Sequence, residues 1–272
     1  MAKKKPKQVN MARKAALAGD VDAALPLLSE CAGAGDDSAA ASLAELLAFL
    51  GRWDEVIPYA GRLIANPFAV YAGNVFDDML LLLGRAGRET GAWDRIAEVA
   101  AAARQRVEER LMANDMDFPQ AKLEAQRARL CGLLDRLGDY AKGRGHAADE
   151  IIPAPVFAPN EAAFQAAQHN NKGKPAARLL SLAIAFSVDA EAIQLYPSAT
   201  GVSFDQAIYV AQALVRSGEP EQAWDVIAAK VPSWSPVDAA QVAPVVLLVD
   251  SYLSQIVTPQ RAAEAVRTPR GG

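Results

Sequence analysis

Cysteine and histidine are almost missing from this chain of 272 residues, which holds two of each. Cys31 and Cys131 stand alone, which excludes a disulfide framework and a cysteine-paired metal knuckle. Two free thiols suit a reducing compartment. His146, in AKGRGHAADE, and His169, in QHNNKGKP, have neither a second His four residues on nor a Cys pair beside them. No local metal motif exists, and neither a metal nor another cofactor is expected. Aromatic residues make up only 7%, and alternating apolar and polar stretches are hard to find, which argues against a β-sheet. Long apolar runs are wanting too. The stretch VAPVVLLV ends at Asp250 and is too short to cross a bilayer. The opening MAKKKPKQ is basic but has no apolar run behind it, unlike a secretory signal. Together these absences read as a soluble, cytoplasmic protein.

What is present is alanine and helical spacing. Apolar residues reach 51%, and alanine, a strong helix former that lets helices approach closely, supplies much of that share. Apolar spacing predicts helices over about 9–18, 21–33, 38–50, 53–65, 68–86, 92–113 and 118–137. Asp117 with Gln120 and Ser203 with Gln206 have the spacing of capping boxes. Ser235-Pro236 and Thr258-Pro259 pair a cap with a proline suited to the first helical position, and Asn160-Glu161 opens a further helix. Residues 1–8 read as a mobile basic tail. The stretch DEIIPAPVFAPN, residues 149–160, carries Pro153, Pro155 and Pro159 and forces extended backbone. It separates an N-terminal helical region, 9–148, from a C-terminal one, 161–272. Within the latter, the nearly all-apolar Val242–Val257 reads as a buried central helix or a surface awaiting a partner, burial being favoured.

The net charge is −4, and the body is more acidic still once Lys3, Lys4, Lys5 and Lys7 are set aside. That balance disfavours general nucleic-acid binding, which relies on Lys and Arg at phosphates, and it suits a basic partner. The acid pairs Asp36-Asp37, Asp77-Asp78 and Glu108-Glu109 are sequence neighbours, which diverge by about 100° on a helix and cannot serve one substrate atom. No nucleophile elbow is present. The chain is expected not to be an enzyme.

One motif recurs. LGRWDEVIPYA at residues 50–60 and TGAWDRIAEVA at 90–100 both place Gly, one residue, Trp-Asp, and an aliphatic residue three places after the Trp. Looser copies start at Gly19, Gly138 and Gly218, giving intervals of 32, 40, 47 and 80 residues, and a degenerate copy at Ser187-Val188-Asp189 with Ala192 divides the last. Such periods mark stacked helical hairpins. The glycine ends one helix in the left-handed conformation, the Trp opens the next and plugs the gap, and Asp54, Glu55 and Asp94 sit where the helix dipole favours acids. Gly51, Trp53, Gly91 and Trp93 are thus structural repeat positions.

The stretch LAELLAFLGRWDEVIPYAGRLIANP resembles the tetratricopeptide repeat family. Leu43-Ala44, Gly51, Trp53, Val56, Ala60, Leu63 and Pro67 fall at its characteristic positions, and Leu83-Gly84, Gly91, Trp93, Ile96, Ala100 and Ala103 form a second match. The likeness covers residues 38–105. The intervals exceed the family's period of about 34, so an irregular all-α solenoid of helical hairpins is expected, with a more compact C-terminal part. The resemblance implies a protein-binding role through exposed first-helix residues. Those positions are Glu45 in the first copy, Asp78, Arg85 and Arg88 in the second, and Asp205 and Gln212 in the faint C-terminal counterpart. The expected activity is recognition of a protein partner, as an adaptor or an inhibitor. An immunity protein that occludes a toxin is a more specific form of it. A nucleic-acid-binding regulator using the basic tail and the Lys172–Lys174 loop is the reading from another class.

Overall fold

A computed structural model describes residues 5–66, 73–113, 119–145, 148–153 and 158–271. These are helical, with no strand among them. In chain order the helices are α1 (Lys5–Leu17), α2 (Val21–Gly33), α3 (Asp37–Phe49), α4 (Trp53–Ile64), α5 (Gly73–Thr90), α6 (Trp93–Ala113), α7 (Gln120–Gly143), α8 (Glu161–Asn170), α9 (Ala176–Ala185), α10 (Asp189–Leu195), α11 (Phe204–Arg216), α12 (Pro220–Lys230), α13 (Val246–Val249) and α14 (Pro259–Arg267). They form two compact units. The first comprises residues 1–153, 236–251 and 259–269, and the second residues 154–235, 252–258 and 270–272.

The first unit begins as three hairpins, α1/α2, α3/α4 and α5/α6, with α2 packed on α3 and α4 on α5. Gly51 and Gly91 stand between paired helices with φ of 70° and 71°, the left-handed region that glycine enters without penalty. The Gly51 amide donates to the Ala48 carbonyl at 3.0 Å and that of Arg52 to Leu47 at 2.9 Å, which satisfies the end of α3. Asp20 and Asp36 cap α2 and α3 by accepting from the amides of Ala23 (3.1 Å) and Ala39 (2.8 Å). Arg62 of α4 reaches back to the Ala32 carbonyl at 2.9 Å and the Asp36 carbonyl at 3.1 Å, closing the α2–α3 turn. Helix α3 is the centre of this unit: every residue from Ala39 to Phe49 is buried, with α2, α4, α5 and α14 against it.

Several expectations change here. Trp53 and Trp93 open their helices, each partly exposed. The Trp93 ring lies over Gly87, where a methyl group would stand 2.9 Å from it, and meets Tyr140 edge-on at 5.9 Å. Gly138 is no hinge. It lies inside α7, whose apolar stripe of Leu134, Leu137 and Ala141 runs through it, and a methyl group there would meet Ala100 of α6 at an ordinary 3.9 Å. Lys5–Gln8 belong to α1 instead of a tail, and residues 1–4 lie outside the described residues. Asp117, Pro67 and the beginning of the helix expected at 68–86 lie outside them as well.

The second unit places α8 beside α9, α9 beside α10, and α11 beside α12. The degenerate copy at Ser187 is a true hinge, with φ of 56° and Ala192 fully buried one turn into α10. Gly218 turns α11 into α12 at φ 83°. Ser203 and Gln206 form the capping box of α11, and Asn160 caps α8 through the Ala163 amide at 3.0 Å. Asp189 ties α10 to α11, accepting from Arg216 at 2.7 and 2.9 Å and from Tyr209 at 2.9 Å.

The chain changes unit after Pro153, inside the proline-rich stretch, whose residues 154–157 lie outside the described ones. Residues 161–272 are not one region, because 236–251 and 259–269 return to the first unit. No helix starts at Ser235-Pro236, and Val242–Val257 is largely buried, with Tyr252 and Gln255 exposed, without being one helix. Only the four-residue α13 and a short 3-10 turn at Leu253–Gln255 form there. Pro244 lacks an amide hydrogen, and the amides of Val242 and Ala243 are engaged by a side chain of α3.

The hinge glycines differ in surroundings, which sets their sensitivity. Alanine at Gly51 or Gly91 meets open space and only a left-handed backbone, so a loss of about 1–2 kcal/mol is expected. At Gly19, φ 83°, the added methyl would overlap the Arg267 carbonyl that follows α14. Gly19→Ala should therefore cost about 3 kcal/mol or more in urea unfolding, and equal losses at the three sites would contradict this packing. Trp93→Ala, with the ring half-exposed, should cost about 2–3 kcal/mol.

Candidate functional site

The first helices of the three hairpins, α1, α3 and α5, present polar side chains to one non-helical strap, Asp238–Ala243. On α3, Ser38, Ser42 and Glu45 follow each other at the spacing of one helical face. The Ser42 hydroxyl lies 2.6 Å from the Ala240 carbonyl and 3.2 Å from that of Ser38. Its single proton belongs to the shorter contact. Arg13 of α1 donates through Nε to the Ser42 hydroxyl at 3.1 Å and through Nη2 to the Ser38 carbonyl at 3.0 Å. Glu45 Oε2 accepts two consecutive strap amides, from Val242 at 2.6 Å and Ala243 at 3.0 Å. From α5, Asp78 Oδ2 accepts from the Gln241 side-chain amide at 2.9 Å. The strap is shaped by its own turn: Gln241 Oε1 accepts the amides of Val237 (3.0 Å) and Asp238 (3.1 Å), and Asp238 accepts that of Ala240 (2.6 Å).

This arrangement reads main chain. Three of its contacts, one carbonyl and two amides, would be available on any non-proline peptide, and only the Gln241 contact is specific to a side chain.

Its electrostatics are lopsided. Glu45 has no exposure at all, and burial raises its pKa well above the usual carboxylate range. Nearby Asp78 adds to the rise, while the two strap amides and Arg13 oppose it. Its second oxygen, Oε1, is buried without a hydrogen-bond partner. Burial likewise pushes Asp78 up to about 6, with Gln241 pulling down and Asp77 pushing up. Arg13 is the cation acting on Glu45, and burial lowers its own pKa against the pull of Asp36, Glu45 and Asp238.

Of the six expected binding residues, the structure brings together two, Glu45 and Asp78. Glu45 was expected on an exposed face and is instead wholly buried, because the strap lies over it. Arg85 pairs with Glu89 of its own helix at 2.7 Å, and Arg85 and Arg88 both act on Tyr140 of α7. Neither is among the groups that shift Glu45 or Asp78. Asp205, exposed in the first turn of α11, and Gln212, half-buried further along it, belong to the second unit. Sequence reasoning missed Arg13, Ser38 and Ser42. The signal for Ser38 and Ser42 was a polar residue at every turn of the otherwise alanine- and leucine-filled α3, whereas Arg13 is one of several polar residues on α1.

Elsewhere, His146 lies outside the described residues, and His169 sits in the last turn of α8. Lys172 and Lys174 are exposed in the loop before α9. Among the described residues no group of three or more His, Cys, Asp or Glu is placed to hold a metal ion, and no helix is long and apolar enough to cross a membrane. Compared with protein-family models, curated proteins and solved structures, the chain matches none.

Asp78 makes the first unit sensitive to pH. Its folded pKa of about 6 exceeds the 3.8 of a free carboxyl, so the folded chain takes up this proton first as pH falls. The stabilisation is complete below about 3.8 and is lost as pH rises through about 6. Between pH 7.5 and 5, the native chain should gain about 1–1.5 kcal/mol relative to Asp78→Asn in urea unfolding. A constant difference, or a gain in the opposite direction, would refute this protonation.

Proposed function

We propose that this chain is a non-enzymatic helical-repeat protein that acts by binding another protein, as an adaptor or an inhibitory partner. The observation that carries the reading is the grip of Ser42 and Glu45 on the carbonyl of Ala240 and the amides of Val242 and Ala243. A helix face that engages the main chain of a non-helical segment has the chemistry of peptide recognition. In such recognition the backbone contacts supply affinity and neighbouring side chains supply selectivity. The tetratricopeptide-like motif supports the same role, since Glu45 and Asp78 are first-helix positions in its two good copies. A cytoplasmic setting fits Cys31 and Cys131, both buried and unbridged.

The full-length tagged chain, used as bait in a lysate of its own cells with a photo-crosslinker on α1 or α5, tests the proposal. A single protein should be retained stoichiometrically through a high-salt wash and crosslink to these helices. Retention of no protein, together with turnover of a small molecule by the purified chain, would overturn the reading.

A further inference from the structure

The strap places a peptide where a partner's peptide would lie, and the cleft beneath it is poorly matched to that strap. Two carboxylates, Glu45 and Asp78, face a neutral glutamine side chain and two amides. The charged groups around them are accounted for. Asp77, next to Asp78, is paired with Arg129 at 2.7 Å. Arg13 is bound to Ser38 and Ser42 and is drawn on by Asp36, Glu45 and Asp238 together. Among the described residues, no cation is among the groups that act on Asp78, and Glu45 Oε1 is buried with no hydrogen-bond partner. The strap is also thinly seated at one end: Val237 is 81% exposed, Ala239 is exposed and Gln241 only half-buried.

We infer that the face of α1, α3 and α5 is a peptide cleft closed by the chain's own Asp238–Ala243, and that the partner segment that opens it carries Lys or Arg where the strap carries Gln241. The inference rests on the protein-binding reading and names the chemistry of the partner. A segment that takes up the turn of the strap would keep the carbonyl contact to Ser42 and the two amide contacts to Glu45. A Lys ammonium in place of the Gln241 amide would give Asp78 a charge-assisted hydrogen bond and has further donors for Glu45 Oε1. The amides of Val237 and Asp238, which Gln241 now satisfies, lie at the open end and pass to water. Without such a partner, the strap's glutamine holds the cleft closed with a neutral donor that a cation outcompetes.

The test uses the full chain carrying Gln241→Ala, which loosens the strap but leaves its backbone contacts. Two fluorescent peptides are titrated by anisotropy: residues 236–245, PVDAAQVAPV, and the same peptide with Gln241→Lys. The Lys peptide should bind saturably and roughly tenfold more tightly than the Gln peptide. Its binding should strip hydrogen-exchange protection from the Val242 and Ala243 amides of the protein. Adding Asp78→Asn to the protein should remove the preference for Lys. Absence of saturable binding, equal affinities, or binding that leaves those two amides protected would each overturn the inference. A captured partner combined with peptides that do not bind would remove the cleft and leave the protein-binding reading intact. Peptide binding without any captured partner would do the reverse.

Discussion

A carboxylate with no exposure to water sits in the middle of α3, the helix around which the first unit is assembled. Ionised or not, Glu45 must find hydrogen-bond partners there, because an unsatisfied buried polar group costs several kcal/mol. The partners it finds are the amides of Val242 and Ala243, 197 and 198 residues along the chain. Those amides lie where the backbone is not helical and has no ladder of its own, so each side of the contact meets the other's need. Closing so long a loop adds only slowly to its entropic cost. It does make the first unit depend on residues that arrive late. Ser42 and Asp78 bind the same few residues, so α3 and α5 share one dependence on the strap.

Around that centre, small residues set the spacing between helices. Gly61 lets α4 lie against Val99 of α6, and Gly84 receives Ile151 and the Tyr140 ring. Each leaves little room for a side chain. The irregular repeat intervals have an equally direct cause. Helices α1, α2 and α3 have 13 residues each, whereas α5 has 18 and α6 has 21. The hairpins lengthen, and the hinge glycines move apart with them. The 47-residue interval ends at Gly138, which lies inside α7 and is not a hinge. The same residue type marks two different constraints, backbone conformation at Gly51 and interhelical distance at Gly61.

The hinges and caps were legible because they are local: Gly51, Gly91, Gly218 and even Ser187 turn the chain through their own dihedrals, and Asn160 and Ser203 cap through bonds spanning three residues. Ser235-Pro236 carries the same local punctuation and starts no helix. Beyond it, Pro244 cannot donate, and a long-range carboxylate takes two amides a helix would have used. Local propensity lost there to tertiary contact. The half-exposed Trp53 and Trp93 show the same limit, since the motif places the ring at the start of a helix but does not decide what covers it.

Taken alone, the amino-acid order determined that the chain is helical, where its hairpins turn, and that its acids and lone cysteines and histidines form no local catalytic or metal motif. Helical periodicity, capping and left-handed turns depend on neighbours within a few residues, so the order of residues contains them. The tertiary structure alone decided that Glu45 is buried, that Asp78 stands near it, and that residues 236–251 return to the first unit. Those outcomes depend on which of many amides, nearly two hundred residues away, reaches one carboxylate. No periodicity along the chain encodes that choice. Complementary desolvation and hydrogen bonding select it when the chain closes on itself.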